Sequence, residues 1–165
     1  MNNFNKQLDI SEEHNRIALI KRALVSQFGD SPFIQETDPE KQSLGIDRYF
    51  GILKIEYKTR ETYYPDILFE IISNSNTGSL GWAEKHLCCD FFVYTFYAAG
   101  IVYIFYYKSL KDTWEKNKHI WILQHRRVTA NNSNYNTISV AVPIVDVLQD
   151  TVHSIYNDNK EVLYK

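Results

Sequence analysis

The stretch "GIDRYFGILKIEYKTR" (residues 45–60) decides how the chain is interpreted. It predicts two short strands, at about 45–50 and 52–59, that are separated at Gly51. Side chains alternate between the two faces of a strand, so the second strand has an apolar face and a charged face. The apolar face holds Leu53, Ile55 and Tyr57, and the charged face holds Lys54, Glu56 and Lys58.

Asp47 precedes Glu56 by nine positions, and antiparallel pairing of the two strands would bring these residues side by side. Two neighbouring carboxylates repel each other unless a positive charge lies between them. Mg²⁺ suits that position, because it binds one or two carboxylates together with water and phosphate oxygens. Lys58 could orient or deprotonate water and stabilise charge on a phosphate. The pattern indicates metal-assisted phosphodiester hydrolysis, and an ordinary solvated face is the alternative.

The length of 165 residues predicts one domain, 1–165, and a hydrophobic content of 44% is typical of a globular protein. The net charge of −2 excludes a global basic field for nucleic acid. Basic residues are nevertheless in excess between residues 108 and 127, and acidic ones between 30 and 47. Both surfaces could simply be solvated, but the candidates for phosphate contacts are Lys85, Lys116, Lys118, Arg126 and Arg127.

The two cysteines, Cys88 and Cys89, are adjacent and lack the spacing of a zinc site. The N-terminus is polar, and the most apolar run (residues 91–107) is broken by Gly100 and rich in tyrosine. This run predicts two buried strands rather than a membrane span. We therefore expect a cytoplasmic protein without a membrane partner.

Periodicity and turn residues predict the remaining elements. Helices are expected at about 11–28, 81–88 and 109–117 and after Pro143, and strands at about 66–73, within 91–107, at about 119–129 and before Pro143. The resulting order, α-β-β-β-α-β-β-α-β-β-α, predicts a mixed α/β sheet flanked by helices.

Asp47 followed by Glu56-Tyr57-Lys58 resembles the PD-(D/E)XK superfamily, the restriction-endonuclease-like nucleases. The resemblance implies an αβββαβ core at about 11–107, with residues 108–165 as a C-terminal extension. It also implies that Asp47, Glu56 and the main-chain carbonyl of Tyr57 bind Mg²⁺, for which Mn²⁺ may substitute, and that Lys58 is catalytic. The residue before Asp47 is Ile46 and not the proline of the family's motif, but the family often lacks that proline.

A second stretch, residues 67–96, resembles small nuclease-like proteins of phages and their hosts through Glu70, Gly81, Trp82 and Lys85. Glu70 is either a third acid near the metal, or an orienter of Lys58, or the partner of a surface lysine.

The resemblance implies a DNA endonuclease or exonuclease that processes phage or mobile-element DNA, with a homodimer as a possible state. Two alternatives stay open. One is an inactive binding protein of the same fold, such as a DNA-end binder. The other is an inhibitor of a host defence system whose acidic segment 30–47 mimics nucleic acid.

Overall fold

The computed structural model describes residues 3–158 and 160–163, and the side chains of residues 12–158. The helices of this part of the chain are α1 (Asn3–Phe28), α2 (Pro39–Ser43), α3 (Tyr107–Gln124) and α4 (Ile144–Asp150). None of them is both long and apolar enough to span a membrane. The first helix was expected to begin at about residue 11, but α1 begins eight residues earlier, at Asn3.

The described strands are β1 (Phe33–Gln35), β2 (Arg48–Phe50), β3 (Leu53–Arg60), β4 (Asp66–Asn74), β5 (Ser79–Leu80), β6 (Phe91–Phe96), β7 (Ile101–Tyr106), β8 (Arg126–Asn131), β9 (Asn136–Pro143), β10 (His153–Asn157) and β11 (Lys160–Leu163). Sheet A has the order β1-β2-β3-β6-β7-β10-β11, and sheet B has the order β5-β4-β9-β8. β3 and β6 are parallel, whereas the other pairs are antiparallel. The expectation of an α/β fold with a mixed sheet is confirmed.

Sheet A separates two hydrophobic cores. On one face, α1 packs with a stripe of residues spaced for one side of a helix: Leu19, Ile20, Ala23 and Leu24. The apolar face of β3 lies in this core, with Ile55 fully buried and Tyr57 beside it. The prediction of the core face of β3 is therefore confirmed.

The second core lies between sheet A, sheet B and the helices α3 and α4. Phe69 of β4 stacks on Trp114 of α3, with ring centroids 4.8 Å apart and an interplanar angle of 10°. Trp121, two turns further along α3, packs against the same phenylalanine at 5.7 Å. This packing explains why residues 119–124 are helical, where the sequence analysis predicted an extended segment. Residues 126–131 do form a strand.

The predicted helix at 81–88 is absent, because the segment 81–83 lies along β4 instead. Gly81 N donates to Ile71 O at 3.0 Å, and Ala83 N donates to Glu70 O at 3.0 Å. Among the described residues no helix therefore separates β4 from β6. β4 itself belongs to sheet B rather than to the sheet that contains β2, β3 and β6.

The segment 108–163, expected as an extension, supplies strands to both sheets. β8 and β9 complete sheet B next to β4, and β10 pairs with β7 in sheet A. The β9–β4 and β10–β7 pairs join strands that are far apart in the sequence, so both sheets depend on long-range contacts.

Candidate functional site

The β2–β3 hairpin places Asp47 beside β3. β2 and β3 pair antiparallel with Arg48 opposite Ile55, as the sequence predicted. Asp47 N donates to Ile55 O at 2.9 Å, and Asp47 Oδ2 accepts the Tyr57 N–H at 3.1 Å. The strand begins at Arg48 rather than at residue 45, since Gly45 has a φ of +77°. The Asp47 carboxylate thus continues the hydrogen-bonded ladder just before β2 begins.

Glu56 is buried although it lies on the charged face of β3. It is 4% exposed, because it pairs across the parallel ladder with Phe92 of the second core. Its Oε1 atom lies 2.6 Å from Lys58 Nζ. A buried carboxylate is costly unless it is paired. Glu56 is therefore a buried, paired charge and not part of a solvated surface, whereas its partner Lys58 is 41% exposed.

Glu70 joins the site from the second sheet. It lies in the middle of β4, and Gly81 packs against it so closely that a Cβ atom at Gly81 would be 2.2 Å from Glu70 O. Gly45 is similarly close to Leu87, since its Cβ would lie 2.8 Å from the leucine side chain. Leu44 O accepts the Cys88 N–H at 2.7 Å, which fixes this second contact. The close packing at Gly81 and at Gly45 thus positions the segments that surround Glu56.

Together these segments enclose a pocket of about 170 Å³. It is lined by the four residues predicted to be catalytic, Asp47, Glu56, Lys58 and Glu70. Lys85, one of the predicted phosphate contacts, also lines it. The walls are completed by Gln42, Ser43, Gly45, Trp82 and Leu87. The residues come from four separate stretches of the chain, so the pocket is a product of the tertiary fold.

The charges in the pocket affect one another. Burial raises the pKa of Glu56, Lys58 opposes this effect, and the neighbouring Asp47 carboxylate adds to it. Burial lowers the pKa of Lys58, but the carboxylates of Glu56, Asp47 and Glu70 outweigh burial, so the pKa is raised overall. Burial also raises the pKa of Glu70, against Lys58 and Lys85. Lys58 is therefore an ammonium at neutral pH and serves the surrounding acids as their cation.

The oxygen donors suit a hard divalent cation. A residue's N–H and C=O leave a strand on the same side, so the Tyr57 carbonyl points to the edge where Asp47 binds the Tyr57 N–H. Ile46, the residue before Asp47, turns away from β3, because its N–H donates to Lys41 O. Two carboxylates and one carbonyl form a ligand set that Mg²⁺ completes with water. Within the described residues, no group of three or more His, Cys, Asp or Glu side chains is arranged to hold a metal.

The other candidate DNA contacts are not gathered at the pocket. Lys116 is ion-paired with Asp150 at 2.8 Å, and Lys118 is paired with Glu84 at 3.1 Å and with Glu115. Arg126 and Arg127 are exposed on β8, at the far edge of sheet B. Of the five basic candidates, the structure brings only Lys85 to the acids.

Sequence analysis missed the groups that hold the segment 81–85 in place. Lys111 is 7% exposed, and its Nζ donates to Ala83 O at 2.6 Å and is paired with Glu115 at 2.8 Å. Trp114 Nε1 donates to Glu84 Oε1 at 3.1 Å. A lysine between Leu110 and Trp114 on a helix could have indicated a buried charge, but its partner is distant in sequence.

No family model matches the chain, and neither a curated protein nor a solved structure is similar to it.

Proposed function

We propose that this protein is a metal-dependent nuclease that hydrolyses phosphodiester bonds in DNA. The observation that carries the proposal is the meeting of Asp47, Glu56, Lys58 and Glu70 in one pocket, although they come from two different sheets. Glu56 is buried and Asp47 is half-buried, and this pair of carboxylates with a lysine beside it does not contribute to the hydrophobic core. It is the arrangement that metal-assisted phosphoryl chemistry requires.

Asp47, Glu56 and the Tyr57 carbonyl would hold Mg²⁺, with Mn²⁺ as a substitute. The bound ion would supply an activated water and neutralise charge on the phosphate. Lys58 is protonated, because the acids around it raise its pKa. Its ammonium would therefore stabilise the growing negative charge of the phosphate rather than remove a proton. Glu70 would fix the position of Lys58, and Lys85 would attract the phosphate at the open side of the pocket.

The β2–β3 hairpin behind α1, with β6 parallel to β3, supports a restriction-endonuclease-like core. The strand β4 and the missing helix before β6 depart from the αβββαβ order, so this chain would be a divergent member. The context of the activity would be the processing of phage or mobile-element DNA in the cytoplasm by a homodimer.

The test is cleavage of supercoiled plasmid, linear duplex, single strand and four-way junction with Mg²⁺, Mn²⁺ or EDTA. The wild type should cut at least one of them only with metal, whereas Glu56→Gln and Lys58→Ala should not. Lys54→Ala is the matched control, because Lys54 shares the face of β3 but lies outside the pocket lining. Loss of cutting in all three variants would contradict the assigned roles.

A binding protein of the same fold is the second candidate, and the ion pair of Lys58 with Glu56 favours it. At 2.6 Å this pair already neutralises Glu56 without a metal. Cleavage separates a nuclease from an inactive protein that still binds the metal, and the effect of Mn²⁺ on thermal unfolding separates it from a binding protein in which Lys58 takes the place of the metal. A nuclease site at 100 times its Kd would gain about 2.7 kcal/mol, which raises Tm by about 5–11 °C for a chain of this size. A binding protein would melt at the same temperature with Mn²⁺ or EDTA.

A further inference from the structure

Sheet B has one face in the second core and one face turned away from it. Ile67, Phe69 and Ile71 of β4 belong to the core, together with Val140 and Val142 of β9. The residues between them form what we call the outer face of sheet B. It comprises Leu68, Glu70, Ser139, Ala141, Val128 and Arg126.

The strand register decides which arginine of β8 shares the face of Glu70. Glu70 pairs with Ser139, which pairs with Val128, and the next row on that face runs from Leu68 through Ala141 to Arg126. Directly paired residues point to the same face of a sheet. Arg126 therefore lies on the outer face with Glu70.

Arg127 lies on the other side. It pairs with Val140, which pairs with Phe69, and both of these are core residues. The side chains of the two adjacent arginines thus belong to opposite faces of sheet B, although both residues are exposed and both lie on β8. Among the side chains of residues 12–158, no carboxylate forms an ion pair with Arg126.

Glu70 belongs both to the pocket and to the outer face, and the residues of β9 between Glu70 and Arg126, Ser139 and Ala141, are small and each 7% exposed. Glu70 and Arg126 lie on strands that are two strand spacings apart, and their positions are offset by two residues along the strand direction. Their Cα atoms are therefore about 12 Å apart. At 3.4 Å per nucleotide, this span covers about three to four nucleotides of B-form DNA. A guanidinium binds phosphate through two parallel hydrogen bonds, and none of the surrounding outer-face residues on β8 and β9 carries a charge that would compete.

We propose that Arg126 binds a second backbone phosphate of the DNA strand whose bond is cut in the pocket, and that this strand lies along the outer face of sheet B. The inference rests on the proposed nuclease function and adds the path of the substrate. It also assigns different roles to Arg126 and Arg127, which are chemically identical neighbours.

The test compares Arg126→Ala with Arg127→Ala as the matched control, each made in the full chain with Glu56→Gln so that DNA stays uncut. Binding of a fluorescent single strand and of the matching duplex is titrated at several salt concentrations. Arg126→Ala should weaken binding about tenfold, as expected for hydrogen bonds to a charged group. It should also reduce the slope of log K against log salt by about one. Arg127→Ala should leave both quantities unchanged.

Equal effects of the two substitutions would overturn the inference, because they would show that DNA responds only to the positive charge at the edge of sheet B. No effect of Arg126→Ala would overturn it as well. Cleavage by the otherwise wild-type chain separates this failure from failure of the proposed function. Metal-dependent cutting without a special role for Arg126 refutes the path alone. Arg126-dependent binding without any cutting refutes the nuclease and keeps the binding face. Absence of binding to either form of DNA refutes both.

Discussion

Substitution of Gly81 by alanine is the sharpest perturbation of the contact that closes the pocket. The new Cβ would lie 2.2 Å from Glu70 O and 2.4 Å from Glu70 C, so the backbones must separate by about 1.2 Å to reach an ordinary contact of 3.4 Å. Hydrogen bonds on both sides of this point, from Gly81 N and from Ala83 N, resist that movement. Overpacking of this kind costs about 1–3 kcal/mol, which lowers Tm by about 2–12 °C in a protein of this size.

The same movement should affect catalysis, because Glu70 and Lys85 would shift relative to Lys58. A displacement of about 1 Å in a catalytic group costs on the order of a hundredfold in rate. Urea unfolding followed by tryptophan fluorescence, together with plasmid cleavage, measures both effects. Gly78→Ala is the control, since Gly78 has a φ of +68° but nothing within 4 Å of a Cβ. It should lose about 1 kcal/mol from backbone strain and keep its cleavage rate. A Gly81→Ala protein with the stability and rate of the wild type would refute the reasoning.

Three further changes have defined outcomes. Lys111→Met leaves Ala83 O without its donor and should cost about 1–3 kcal/mol in urea unfolding, whereas Lys108→Met at an exposed ion pair should leave the unfolding midpoint nearly unchanged; equal losses would contradict this. Phe69→Ala removes the ring that stacks on Trp114 and should cost about 3–5 kcal/mol, and a loss below 1 kcal/mol would be inconsistent with the packing. Burial and the Asp47 carboxylate raise the pKa of Glu56, and a metal binds only the deprotonated form. At metal concentrations below Kd, metal-dependent cleavage should therefore rise with pH through a midpoint above 4.5, the ordinary value, and a midpoint at or below it under those conditions would argue against Glu56 as a ligand.

The local features of this fold are readable from the sequence. Alternation of apolar and charged residues predicted the hairpin that contains Glu56, and Pro143 correctly marked the change from β9 to α4. The turn around Gly100 likewise predicted the β6–β7 pair. Each of these rests on side chains within a few residues of one another, where periodicity and turn chemistry dominate.

The features that depend on distant partners could not be predicted in this way. Burial of Glu56 requires sheet B, and sheet B forms through the pairing of Glu70 with Ser139, far along the chain. The segment 81–88 has helix-forming residues, but the hydrogen bonds that it makes to β4 replace those of a helix. The length of α3 likewise depends on Trp121 and its contact with Phe69. The acids at the site were predictable as a motif, whereas their enclosure was not.

Cleavage of supercoiled plasmid by the wild type, Lys58→Ala and Lys54→Ala, each with Mn²⁺ and with EDTA, tests the central claim most directly. The two lysines lie on the same face of one strand, but only Lys58 lines the pocket and contacts Glu56. We expect metal-dependent nicking by the wild type and by Lys54→Ala, and none by Lys58→Ala. Equal nicking by both variants, or no nicking by the wild type, would contradict a catalytic site at Asp47, Glu56 and Lys58.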